Sequence, residues 1–188
     1  TNESVSLSIP DPLNPRYSYG GGKLISELIS LNYGREYFER VVIFRPHNVY
    51  GPNMGFEHVI PQFVLRMKEI IKNNKSKKID FKIQGNGNET RSFCFIDDFT
   101  EGLIALEKEG KHLNIYHIGT EDEVSIKSVA EEVGIYFKKN LNIIPGDLAK
   151  GGTLRRCPDI SKMKKIGYNP RTKLKEGISI TADWYINQ

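Results

Sequence analysis

Past a loop-like opening, the chain alternates between stretches with apolar residues three and four apart and short apolar runs. Leu24, Ile25, Leu28, Ile29 and Leu31 predict a helix over residues 17–33. Val41-Val42-Ile43-Phe44 is a strand of the kind that suits a sheet buried on both faces, and Pro46 is expected to stop it. Ile60, Phe63, Val64, Met67 and Ile70 share one side of a helix over residues 58–71. Residues 80–84 alternate like a strand, and Gly85-Asn86-Gly87-Asn88 is a turn. A second short strand follows at residues 92–96, then a helix through Leu106 capped by Asp97 or Asp98. Residues 114–118 form a strand, and Ser125 caps a helix running to Lys139. A strand at residues 141–144 is closed by Pro145-Gly146, and Gly151-Gly152 is a mobile connection. Asp159 caps a short helix to Ile166, and a terminal helix covers residues 175–186. The first eighteen residues, Ser-rich and then broken by Pro10, Pro12 and Pro15, read as loop.

Strands alternating with helices predict an α/β fold with parallel pairing. At 188 residues this is one domain or two small lobes. Hydrophobic residues at 38% and charged residues at 27% describe an ordinary globule rather than a disordered chain. A net charge of +4 suits a small anionic ligand without demanding nucleic acid. The basic run from Lys72 to Lys78 lacks the interleaved aromatics of an RNA-binding surface and reads as a solvated helix end. Two cysteines, Cys94 and Cys157, make no disulfide framework and no metal-ligand spacing, which favours a reducing cytoplasm. No apolar run approaches the roughly 20 residues of a membrane span.

The candidate chemistry begins at Tyr19-Gly20-Gly21-Gly22-Lys23. Residues four apart on a helix share a face, so phenol and ammonium enter one site. A phenol is a poor base at neutral pH, and a neighbouring ammonium favours the phenolate. Such a phenolate takes a proton from a sugar hydroxyl while a hydride leaves the carbon. Four further patterns follow in order. Arg45-Pro46-His47-Asn48-Val49-Tyr50-Gly51-Pro52 comes after the first strand. Gly85-Asn86-Gly87-Asn88-Glu89-Thr90-Arg91-Ser92 leads to Asp97-Asp98. Asn114-Ile115-Tyr116-His117-Ile118-Gly119 precedes Arg155-Arg156-Cys157-Pro158-Asp159.

This ordered series resembles the C-terminal half of the extended short-chain dehydrogenase/reductases that act on nucleotide sugars, the NAD-dependent epimerases and dehydratases. The likeness runs over nearly the whole chain. It implies the C-terminal part of a Rossmann-like parallel sheet, residues 1–52 and 93–118. It also implies a small α/β substrate-binding lobe, residues 53–92 and 119–188. The cofactor implied is NAD and the substrate a nucleotide-diphosphate sugar, with no nucleic acid, metal or membrane as partner.

By the same resemblance Tyr19 is the catalytic acid/base and Lys23 holds the nicotinamide ribose. Pro46 and His47 face the nicotinamide, and Asn48 meets the substrate diphosphate; otherwise these three are a strand-to-loop turn. Arg91 grips the diphosphate, its fork matching phosphate oxygens, or else it pairs with Glu89 at the surface. Arg156 is the second phosphate arginine, with Arg155 competing for the role. Asp159 is a ribose contact or equally a helix cap. His58 and Val59 align with a backbone-contact site, and Lys82 and Gln84 with a strand touching the nucleotide base. Some 3,5-epimerases of the family carry an acid/base lysine where Val59 stands, so that chemistry is disfavoured. His117 reads as a strand-end residue without a catalytic part, and Trp184 as a packing residue of the terminal helix.

The Gly-rich turn of a dinucleotide fold and its acidic ribose partner do not occur in these 188 residues. The family's Ser or Thr roughly 25 residues before the tyrosine would precede Thr1. The chain is therefore expected to be a C-terminal fragment or one half of a split protein. Its unpaired sheet edge should bind a second copy or a complementing half. Two functions stand side by side. One is an NAD-dependent epimerase or dehydratase passing through a 4-keto sugar, inactive as an isolated fragment. The other is a non-catalytic nucleotide-sugar binding or assembly module. Helix residues Leu24, Ile25, Leu28 and Leu31 either pair two copies or pack on the sheet.

Overall fold

The computed structural model describes residues 1–147 and 152–188, so Gly151 of the expected mobile connection lies outside the described residues. The fold is α/β with parallel pairing, and two cores organise it.

The smaller core forms around the parallel pair β1 (Val42–Pro46) and β6 (Asn114–Ile118), in register from Val42 opposite Asn114 to Pro46 opposite Ile118. Helix α3 (Ile96–Glu109) and the short α5 (Ser161–Lys164) close it with Leu106, Ile160 and Met163 against Tyr116 and Ile118. The strand ends at Pro46 as expected, with the proline as its last residue. Amides alternate in direction along a strand, and that of His47 donates to Ile118 O at 3.0 Å. The position of Pro46 therefore faces the other edge of β1, where a missing N–H costs no ladder bond.

Helix α1 (Arg16–Tyr37) runs four residues beyond its expected end. At that end Gly34 lets it close on the chain: a Cβ there would lie 2.9 Å from Val41 and 3.1 Å from Leu113. Leu24 and Leu31 are half-buried, whereas Ile25, Leu28, Ile29 and Tyr33 are more than half exposed.

The larger core lies between the parallel pair β3 (Lys78–Lys82) and β8 (Asn140–Ile144) and three helices, α2 (Val59–Asn73), α4 (Ile126–Tyr136) and α6 (Leu174–Ile186). The α2 residues Ile60, Phe63, Val64 and Met67 are buried at the spacing the sequence shows. Ile79 and Phe81 alternate inward from β3, with Ile83 just beyond its end. Ser125 caps α4 as expected, accepting from Ser128 N at 3.0 Å. Asp97 and Asp98 do not cap α3, whose preceding residue is Phe95. Asp98 is buried and instead accepts from Arg171 N at 2.8 Å and Thr172 N at 3.0 Å. It ties the loop entering α6 to the start of α3.

Five very short strands carry the connections. β2 (Val49–Tyr50) pairs with β5 (Cys94–Phe95). β4 (Thr90–Ser92) lies between antiparallel β7 (Glu123–Ser125) and parallel β9 (Arg155–Arg156). The single strand expected over residues 92–96 is thus broken at Phe93. Cys94 N then donates to Asn48 O at 3.2 Å, which joins the new strand to the segment after β1.

Candidate functional site

Tyr19, Lys23 and Pro46 come together. Tyr19 and Lys23 sit one turn apart on α1, and the Lys23 ammonium lies 5.5 Å from the Tyr19 ring centroid, within cation–π range. Both line a cavity of about 450 Å³ whose other wall is β1 through Arg45 and Pro46. The phenol is about three-quarters exposed. One face of α1 is thus presented to the carboxyl end of a parallel strand, where open α/β sheets take ligands.

Asn48 stands at the next turn of the chain with φ 41°, a left-handed backbone that asparagine tolerates better than most residues. Its side-chain amide donates to Ser92 O at 2.8 Å. The local hydrogen-bonding reading of Asn48 therefore holds, and the residue also lines a second cavity of about 300 Å³. Arg91, Gln84 and Val59 share that cavity with Glu57, Gln62, Phe93 and Thr153.

The two phosphate-arginine candidates are neighbours. Arg91 and Arg156 are register partners across β4 and β9. Both reach Thr153: Arg91 Nη2 donates to its carbonyl at 2.6 Å and Arg156 Nη2 to its hydroxyl at 3.2 Å. Arg91 is not the partner of Glu89. That carboxylate is buried and accepts from Gly87 N at 3.0 Å, bracing the glycine turn. The structure also separates Arg155 from Arg156. Arg155 is held in a two-point bridge to Glu123, with contacts of 2.9 and 2.7 Å. The Arg155 guanidinium and the Thr90 hydroxyl hold the Glu123 carboxyl below its ordinary range. Arg156 has no carboxylate partner among the described residues.

Five expected residues, His47, His58, Lys82, Arg156 and Asp159, line neither of these cavities. Lys82 lies outside both, and its carbonyl accepts from Arg66. Asp159 turns to Ser161, accepting from its hydroxyl at 2.5 Å and its amide at 2.8 Å, which hold the carboxyl below the usual range, the hydroxyl more than the amide. Asp159 does not cap α5 as expected: the helix starts at Ser161, and its cap residue is Ile160, with no side-chain capping bond. His58 is the exposed cap residue of α2, with no side-chain capping bond, and lines a smaller neighbouring cavity with Val59 and Asn48.

His47 and His117 form a pair with ring centroids 4.6 Å apart. His117 is buried, and its Nδ1 and His47 Nε2 have no hydrogen-bond partner among the described residues. The pKa of His47 is lowered to about 4, first by burial, then by His117, the Thr1 amine, Arg45 and Arg156. His117 is lowered as well, again first by burial. His117 thus has a packing role that its position at a strand end did not announce.

Sequence reasoning missed the pair Glu27 and Arg45. Arg45 Nε and Nη2 contact the two Glu27 oxygens at 2.9 and 2.6 Å, tying α1 to β1. A signal was present: Tyr19, Lys23 and Glu27 fall at four-residue intervals, which sets them on one face of α1.

The chain belongs to the NAD dependent epimerase/dehydratase family, whose model matches residues 2–119. It is 33% identical over 194 residues to the GDP-mannose 3,5-epimerase of Arabidopsis thaliana, covering 100% of this chain and 49% of that protein. It is 31% identical over 182 residues to the dTDP-D-glucose 4,6-dehydratase of Bos taurus, covering 93% and 49%. Among solved structures, the dTDP-glucose 4,6-dehydratase DesIV of Streptomyces venezuelae, with NAD bound, superposes with TM-score 0.80 at 26% identity. That match covers 100% of this chain and 54% of the other. The chain therefore spans about half the length of these relatives. No helix among the described residues is long and apolar enough to cross a membrane.

Proposed function

We propose that the chain supplies the acid/base and sugar-nucleotide side of an NAD-dependent nucleotide-sugar epimerase or dehydratase. The observation that carries this reading is the pairing of Tyr19 and Lys23 over one cavity whose opposite wall is the end of β1. NAD supplies the hydride chemistry when bound. Lys23 and the backbone at Pro46 and His47 would hold its nicotinamide riboside. Tyr19 takes the proton of the sugar 4-hydroxyl and returns it when the 4-keto sugar is reduced. Arg91 and Arg156 hold the diphosphate, with Asn48 on the wall of the Arg91 cavity. Gln84, His58 and Val59 border the nucleoside, whereas Lys82 and Asp159 have the weaker claim because their groups are engaged elsewhere. Residues 1–52 and 93–118 would then complete a dinucleotide-binding sheet, and residues 53–92 and 119–188 would form the sugar-nucleotide lobe. The partner is a second copy or a nucleotide-binding half that covers α1 and the free edge of β1, in a reducing cytoplasm.

A second reading, a sugar-nucleotide binding module that works without turnover, is favoured by the cavity around Arg91, whose described lining includes neither Tyr19 nor Lys23. One pair of variants separates the two. In a protein that joins this chain to a nucleotide-binding half, Tyr19→Phe should lower turnover about 10²- to 10⁴-fold, with sugar-nucleotide affinity retained. Arg91→Met should weaken that affinity. Full turnover by the Tyr19→Phe protein would leave only the binding module.

A further inference from the structure

We infer that Arg45 is a positioning residue for the Tyr19–Lys23 pair: it occupies the Glu27 carboxylate and so keeps that carboxylate from capturing the Lys23 ammonium. The inference rests on the reading of Tyr19 and Lys23 proposed above.

Tyr19, Lys23 and Glu27 follow one another at four-residue intervals, so their side chains share one face of α1. A lysine and a glutamate at this spacing attract each other on an open helix. Here they form no ion pair among the described residues. Both Glu27 oxygens go to Arg45 instead, through Nε at 2.9 Å and Nη2 at 2.6 Å. Lys23 turns the other way, toward the Tyr19 ring. All four side chains line the same cavity, so the competition takes place inside the site.

The bridge differs from the other ion pairs of the described residues. Its side chains are 20% and 13% exposed, whereas each of the others has at least one side chain half exposed or more. A shielded two-point fork between a guanidinium and a carboxylate is strong and directional. Arg45 Nη1 also reaches Glu3 O at 3.5 Å, which steadies the fork from a third side. The residue stands immediately before Pro46 on β1, so one guanidinium fixes the rotation of α1 against the strand end and decides where the Lys23 charge goes.

The test needs a readout of Lys23 itself. In the 188-residue chain labelled with ¹⁵N-lysine, ammonium proton exchange at Lys23 is measured, with Lys23→Arg giving the assignment. Arg45→Gln should release Glu27 onto Lys23 and slow that exchange about twofold, the population change that such a helix pair supports. The double variant Arg45→Gln with Glu27→Gln should return it to the wild-type rate. Should Arg45→Gln fail to fold, Arg45→Lys keeps the charge without the fork, and a smaller slowing is expected. In the protein joined to a nucleotide-binding half, Arg45→Gln should lower kcat while leaving KM for the sugar nucleotide in place. The double variant should regain most of the loss.

A bridge that only holds the helix in place predicts the reverse, a double variant at least as impaired as the single one. That result, or an unchanged Lys23 exchange in Arg45→Gln, overturns the inference. The lysine measurement uses neither cofactor nor substrate. If it behaves as expected while the Tyr19→Phe protein still turns over, the catalytic reading falls and the clamp on Lys23 stands.

Discussion

Asn48 shows how much one residue is asked to do at the wall of the Arg91 cavity. Its φ of 41° costs a non-glycine residue roughly 1 kcal/mol or more, and its side-chain amide offsets part of that by donating to Ser92 O at 2.8 Å. Asn48→Gly keeps the backbone and loses the bond, so it should cost about 1 kcal/mol in denaturant unfolding. Asn48→Ala loses the bond and keeps the strained backbone, and should cost about 1 kcal/mol more. Equal losses in the two variants would show that the left-handed backbone contributes nothing. The histidine pair makes a second residue-scale prediction. An unfolded His47 binds its proton near pH 6.5, while in the fold burial, His117, the Thr1 amine, Arg45 and Arg156 push the pKa down to about 4. The unfolded state therefore binds more protons between those values, and stability falls as pH drops through that window. It is complete above about pH 6.5. Glu3 opposes this at His117, which it favours in the charged form, though burial dominates there. The melting temperature should fall more steeply from pH 6.5 to 4 in the wild type than in His47→Gln. Parallel curves would remove the pair from the account.

At the scale of elements, what was legible in the sequence depended on period and length. The β6 strand matches its expected bounds residue for residue, because five residues of a buried strand carry their own signal. Helices α2 and α6 start within one residue of expectation for the same reason. Strands β2, β7 and β9 were not legible. Two or three residues have no period, and these exist only because distant chain lies alongside. Arg91 and Arg156 were readable as separate candidates, but their adjacency is a property of the β4–β9 register, which no local pattern encodes. Helix α1 was found despite Gly20, Gly21 and Gly22, which weaken a helix interior by about 0.5–1 kcal/mol each. A Cβ on Gly22 meets nothing within 4 Å, so Gly22→Ala should stabilise α1 by that amount. Gly177 in α6 is the opposite case: a Cβ there would lie 2.1 Å from the Tyr50 hydroxyl and 2.9 Å from Phe95. Gly177→Ala should therefore destabilise by about 1–3 kcal/mol despite its better helix propensity. Thermal unfolding of the two variants against the wild type checks both signs.

At the scale of the whole molecule, the two cores are unequally enclosed. The core around β3 and β8 is roofed by three helices. The β1–β6 pair has α3 and α5 on it, but β1 pairs on one side only among the described residues. Phe44 on that strand is 44% exposed, and Ile25, Leu28, Ile29 and Tyr33 on α1 form a continuous apolar stripe facing solvent. Their spacing of three and four residues places them on one face, the arrangement that buries itself against another helix. An open strand edge beside an apolar helix face is a surface that seeks a partner. The 188-residue chain should self-associate as its concentration rises, seen as a rising sedimentation coefficient and binding of an apolar dye at low concentration. Leu28→Glu with Ile29→Glu should reverse this while leaving the Arg91 cavity intact, because neither residue touches it. A nucleotide-binding half that covers the same surface should suppress self-association and dye binding together. A chain that stays monomeric and dye-free throughout would mean that α1 folds down on its own sheet, and the partner would then have no surface to meet.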